Sequence, residues 1–164
     1  MDNSFTVSIG PHLKGSESTK RIMWVVTLAL IPAGGSGVFI FGLKALYVII
    51  ASILAAVVTE TIILAVRKKD LKTAYDGSAV LTGLLLAYNL PPTAPLWLPV
   101  AGSFFAIAVG KQVFGGLGHN IFNPALVGRA FLMVSWPVYM TTWQDPRWKV
   151  DAITAATPLA LVTR

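Results

Sequence analysis

The sequence predicts an all-α, polytopic integral membrane protein with about five transmembrane segments, two of them short or broken. Composition is the first ground: 55% of the 164 residues are hydrophobic and 12% are charged, where soluble domains carry about 25% charged residues. Mean hydropathy is +0.70. The second ground is layout, since apolar runs alternate with polar or Gly/Pro-rich breaks. The third is charge placement, because the basic residues gather at the ends of the runs as topology signals do. That placement accounts for the net charge of +6, and nucleic-acid binding is not expected. Cysteine is absent, so no disulfide, thiolate metal site or protein-ligated iron–sulfur cluster forms within this chain.

Residues 1–21 are polar, with Lys14, Lys20 and Arg21 beside the first apolar run and no small-residue cleavage signature before it. The expectation is a cytoplasmic segment followed by a span that acts as its own insertion signal. A helical bundle is expected over residues 22–140. Ile22 to about Leu43 is long enough to cross a hydrocarbon core of roughly 30 Å, loosened midway by Pro32 and Gly34-Gly35-Ser36-Gly37. Ala45 to Val66 is the second span, with Glu60 inside it and the basic run Arg67-Lys68-Lys69-Asp70-Leu71-Lys72 after it. Asp76-Gly77-Ser78 opens the third, Ala79 to Leu90, whose roughly 12 residues are too few for a full crossing at about 1.5 Å rise each. Asn89-Leu90-Pro91-Pro92-Thr93-Ala94-Pro95 ends it. The fourth, Leu96 to Phe114, stops at Gly115-Gly116-Leu117-Gly118, and His119-Asn120-Ile121-Phe122-Asn123-Pro124 starts a last span running to about Met140. Short segments broken by Gly and Pro suit a transporter-like core near its binding site. Simple proline kinks in ordinary spans account for them equally well.

Lys14, Lys20 and Arg21, then Arg67, Lys68, Lys69 and Lys72, then Lys111 all fall on one face if the N-terminus is cytoplasmic. Five crossings then place residues 141–164 outside the cytoplasm.

Few side chains carry chemistry. Asp151-Ala-Ile-Thr-Ala-Ala-Thr157-Pro158 is a polar interruption offering accessible hydroxyls among small residues, either a modification site or an ordinary loop. Asn120 and Asn123 share a helical face at i, i+3, suited to the amide-like edges of a ring or to capping and interhelical bonds. Arg129 inside a span needs a partner, either an anionic group or a neighbouring helix C-terminus. Glu60 is a candidate for an ion or proton path, or an interfacial charge that snorkels or pairs. Arg67 lies about 10 Å further along the helix axis, too far for direct pairing without bending of both side chains. His119 is expected to bond locally, and no metal site is expected.

Four stretches together resemble a known family: Asp76-Gly-Ser-Ala-Val-Leu-Thr-Gly-Leu-Leu-Leu-Ala, Asn89-Leu-Pro-Pro, Lys111-Gln-Val-Phe-Gly-Gly-Leu-Gly-His-Asn-Ile-Phe-Asn-Pro-Ala-Leu-Val-Gly-Arg-Ala-Phe-Leu, and Asp151-Ala-Ile-Thr-Ala-Ala-Thr. The chain resembles the NqrB/RnfD family. The likeness is to the RnfD members, which belong to the Rnf electron-transport complex. It is more distant to the NqrB members, which belong to the sodium-pumping NADH:quinone oxidoreductase. The resemblance implies a multi-pass protein of the prokaryotic cell membrane. It implies electron flow between reduced ferredoxin and NAD⁺, coupled to Na⁺ or H⁺ movement. It further implies FMN carried through a phosphoester on Thr157, with Asp151 and Thr154 in the frame recognised by an extracytoplasmic flavin transferase. Ala155 stands where the family pattern has Gly, which removes access to positive φ. Through the NqrB relatives, the resemblance implies a noncovalent riboflavin at Thr82, Asn120 and Asn123. The implied partners are other subunits of an Rnf-type complex, including a second FMN-bearing one, the flavin transferase and membrane lipid. Thr157 is then an anchor, because the cofactor carries the redox chemistry. The implied family fold is two inverted five-helix repeats, of which this chain holds one, as a truncated or split chain would. Three other readings compete: a non-redox transporter or channel on the same repeat, a subunit of an NADH:quinone oxidoreductase, and a membrane scaffold. The transporter and the scaffold would purify colourless.

Overall fold

In the computed structural model, described over residues 18–68 and 75–143, all regular structure is helical. Helix α1 is Thr19–Phe41, started by the Ser18 hydroxyl accepting the Arg21 N–H. The loosening expected at Pro32 does not interrupt α1. Pro32 removes the N–H that the Leu28 carbonyl would receive, and other groups brace the same stretch. Tyr88 donates its hydroxyl proton to the Leu30 carbonyl at 2.7 Å, and Ser36 donates to the Pro32 carbonyl at 3.0 Å. Gly34 faces that tyrosine so closely that a Cβ would lie 2.5 Å from its hydroxyl oxygen.

A single residue, Gly42 at φ 85°, turns the chain into α2, Leu43–Val66. That left-handed value favours glycine. Helix α3 is Ser78–Ala87, and α4 is Trp97–Ile107, continued by a π-helical turn over Ala108–Gln112. Helix α5 is Pro124–Ser135 and α6 is Pro137–Thr141. The last apolar run is therefore two helices rather than one span to Met140. Trp136 breaks it at φ −138°, ψ 63°, because the residue before a proline is driven out of the helical region.

Helix α2 is the centre of the bundle, with α3 and α4 packed on it. Small residues bring the backbones together, as in membrane helix packing generally. Ser52 on α2 donates to the Gly83 carbonyl at 2.8 Å and lies 2.9 Å from the Ser103 hydroxyl on α4. Leu86, Leu98, Ala125 and Leu132 fill the core between α3, α4 and α5, with Phe105 stacked on Phe131 at 3.9 Å between centroids. The outward faces are apolar too: Leu28, Ile31, Leu54, Val58 and Ile62 are all exposed. Helices α1 and α2 have the length and composition to cross a bilayer.

The two ends of the bundle differ. Trp24 lies against Gly77, and Arg67 bonds the Gln112 carbonyl at 2.7 Å, which gathers one end. At the other, Thr93 donates to the Thr142 carbonyl, and Trp97 meets Trp136 at 5.0 Å and Tyr139 at 5.8 Å. Aromatic rings of this kind belong to the membrane–water interface. The chain passes five times between these ends among the described residues, so Ser18 and Trp143 lie at opposite ends.

Candidate functional site

The polar centre of the bundle is assembled from three elements. Glu60 comes from the last third of α2 and has no exposed surface. Ser78 is the first residue of α3, set by the turn before it: Asp76 Oδ1 accepts both the Ser78 N–H, at 2.8 Å, and its hydroxyl. Lys111 and Gln112 come from the π-helical turn. That turn is closed by the i→i+5 bond from Val113 N–H to the Ala108 carbonyl. Such turns are frequent at functional sites. Here the turn accompanies two consecutive side chains on one carboxylate oxygen.

Lys111 Nζ donates to Glu60 Oε1 at 2.6 Å and also to the Ser78 hydroxyl. Gln112 Nε2 donates to the same Glu60 oxygen at 3.0 Å. Lys111 and Gln112 are 2% and 3% exposed. An ion pair this deep needs its remaining hydrogen-bonding capacity filled to offset desolvation. Two buried oxygens in the cluster lack a hydrogen-bond partner, Glu60 Oε2 and Gln112 Oε1.

This corrects one inference from sequence and sharpens another. The partner of Glu60 is Lys111, not Arg67, whose guanidinium instead serves the Gln112 carbonyl. Lys111 is consequently not a free interfacial charge and carries no weight as a topology signal. The basic residues around α1 and after α2 remain. What sequence reasoning missed was that the lone acid in an apolar run and the lysine closing another run share one site. Counting intramembrane charges of both signs would have raised the pairing.

Arg129 on α5 donates to Asn89 Oδ1 at 2.8 Å, and Asn89 in turn donates to the Leu85 carbonyl. Asn89 follows the end of α3, so this arginine is held at a neighbouring helix C-terminus, one of its two expected roles. Asn123 is the N-cap of α5, accepting the Ala125 N–H at 3.0 Å. Asn120 donates to the Phe122 carbonyl. Both asparagines are at least partly exposed, on a loop whose Gly115, Gly116 and Gly118 all take positive φ. Thr82 is buried and donates to the Ser78 carbonyl of its own helix. No hydrogen bond joins Thr82 to either asparagine among the described residues. The two asparagines do not share a helical face, and each already bonds the local backbone, as Thr82 does. Asp151, Thr154 and Thr157 lie outside the described residues.

An apolar cavity of about 280 Å³ sits between α1, α2 and the end of α3. Gly34, Gly37, Ala45, Val48, Ala87 and Tyr88 line it, with Trp143 at its edge. It belongs to the aromatic end, away from the Glu60 cluster.

Comparison with known proteins matches residues 6–164 to the model of the NQR2, RnfD, RnfE family. The chain is 56% identical over 161 residues to a subunit of the proton-translocating ferredoxin:NAD(+) oxidoreductase complex of Clostridium ljungdahlii, covering 98% of this chain and 48% of that protein. It is 49% identical over 160 residues to a subunit of the Na(+)-translocating ferredoxin:NAD(+) oxidoreductase complex of Acetobacterium woodii, covering 97% and 49%. To a subunit of the ion-translocating oxidoreductase complex of Cronobacter sakazakii it is 42% identical over 144 residues, covering 87% and 41%. The chain thus spans about half the length of the curated relatives it matches.

Proposed function

The chain belongs to the NQR2, RnfD, RnfE family, and on that premise we propose that it is a flavin-carrying membrane subunit of an Rnf-type ferredoxin:NAD⁺ oxidoreductase that moves Na⁺ or H⁺. The observation that carries this reading is the identity to two subunits of such complexes across nearly the whole chain, joined to a five-pass helical bundle. Its partners are the other subunits of such a complex, a second FMN-bearing subunit among them, and a flavin transferase. Its setting is the prokaryotic inner or plasma membrane, with the N-terminus cytoplasmic and Thr157 outside.

Within that reading Thr157 holds FMN through a phosphoester, framed by Asp151 and Thr154. FMN would supply the one- and two-electron chemistry, and the protein would position it and tune its potential. Trp143 is at the aromatic end of the bundle, and the chain continues from there toward Thr157. Asn120, Asn123 and Thr82 are the candidate contacts for a riboflavin, and Glu60 is the candidate on the ion path. The test is covalent flavin fluorescence of the denatured protein with and without Thr157→Ala. A colourless wild-type protein, purified from cells that make the transferase, favours a non-redox transporter.

A further inference from the structure

We propose that the Glu60 cluster is a seat for one monovalent cation, in which the Lys111 ammonium is the resident charge and shifts toward Asp76 when a sodium ion or a proton takes its place on Glu60. The proposal rests on the reading of this chain as an ion-coupled membrane subunit, and names the residues and the charge that such coupling uses.

Three features support it. The first is the pair of buried oxygens without partners, Glu60 Oε2 and Gln112 Oε1. They belong to two side chains already in contact at 3.0 Å. A proton on Glu60 or a cation against both residues provides what these acceptors lack. Turning the Gln112 amide over would not help, since it would set an oxygen against the carboxylate.

The second is charge. Glu60, Asp76 and Lys111 sum to one negative charge. The other cations described at this end, Lys20, Arg21, Arg67 and Lys68, are exposed, and Arg67 donates to the Gln112 carbonyl. One monovalent cation brings the cluster to neutrality, whereas a divalent ion would leave a buried excess of the opposite sign. The relatives named for proton and for sodium translocation are both compatible with a single positive charge.

The third is that the resident cation has somewhere to go. The Ser78 hydroxyl touches Lys111 Nζ on one side and Asp76 Oδ1 on the other. The ammonium is thus one hydroxyl away from a second carboxylate. Its backbone sits in a π-helical turn that runs into glycines with positive φ at 115, 116 and 118. A shift of that turn toward α-helical bonding moves Lys111 relative to Glu60 without disturbing α4 above it.

The test is equilibrium binding of radiosodium to the detergent-purified protein, with flavin content measured on the same sample. Difference infrared spectra on acidification are recorded in parallel. The expectation is binding at a single site, lost in Glu60→Gln and tightened about tenfold or more in Lys111→Gln, where the competing charge is gone. A carboxylic acid band that disappears in Glu60→Gln, without sodium binding, supports the proposal with the proton as the cation. If Lys111→Gln does not fold, wild type and Glu60→Gln decide alone. Absence of both sodium binding and a Glu60-dependent band overturns the proposal and leaves a structural ion pair. Loss of flavin with cation binding intact overturns the redox reading and not this one.

Discussion

Lys111 Nζ lies 2.6 Å from Glu60 Oε1, with both side chains almost wholly buried. The two residues come from different helical elements, α2 and the turn that follows α4. Their contact ties the end of α4 to the centre of the bundle.

Breaking that pair from one side should be costly. Lys111→Met strands the Glu60 carboxylate, and the loss is expected at about 3–5 kcal/mol, the range for an uncompensated buried charge. The double variant Glu60→Gln with Lys111→Met should recover much of it. Unfolding in detergent measures both, and a double variant no more stable than Lys111→Met would contradict the pairing.

The close helix contacts make a contrasting pair of predictions. A Cβ at Gly83 would meet Ile53 Cα at 2.8 Å and the Ser52 carbonyl at 2.9 Å, and one at Gly128 would meet the Gly102 carbonyl at 2.7 Å. Gly83→Ala and Gly128→Ala should each destabilise by about 1–3 kcal/mol, as overpacking does. Nothing lies within 4 Å of such an atom at Gly35 or Gly37. Gly35→Ala and Gly37→Ala should leave the melting temperature unchanged or raise it, since alanine is the better helix former.

The five-pass path predicts opposite accessibility for its ends. Cysteines introduced at Ser18 and Lys68 should resist an impermeant thiol reagent on intact cells, and one at Thr141 should react. Labelling of the first two and protection of the third would invert the orientation in the membrane.

The proposed riboflavin contacts are separable from helix capping. Asn123→Ser keeps an N-cap oxygen for the Ala125 N–H and removes the carboxamide. Combined with Asn120→Leu, it should lower extractable riboflavin while the covalent flavin stays. Unchanged riboflavin in the folded double variant returns both asparagines to local structure.

How much of this was legible in the sequence differs from element to element. The first two spans and the short third one could be read from apolar length, Pro91 and Pro92, because membrane helices announce themselves by composition. The break at Trp136 was also written in the sequence, as a residue preceding Pro137, but the apolar run hid it. The π-helical turn was not legible, since residues 108–112 carry no mark that separates i→i+5 from i→i+4 bonding. Without that turn, Lys111 looked like a segment-end charge and Glu60 like a lone acid. The Asn123 cap was readable from the following Pro124, whereas the Arg129–Asn89 bond depends on how α5 packs against the end of α3.

Whether this chain carries its flavin on Thr157 is decided by intact-protein mass together with in-gel fluorescence. Wild type, expressed with a flavin transferase, should show the mass of one added FMN moiety and remain fluorescent after denaturation. Thr157→Ala should lose both, and Thr154→Ala should at most reduce them. Full covalent flavin in Thr157→Ala would overturn the assignment.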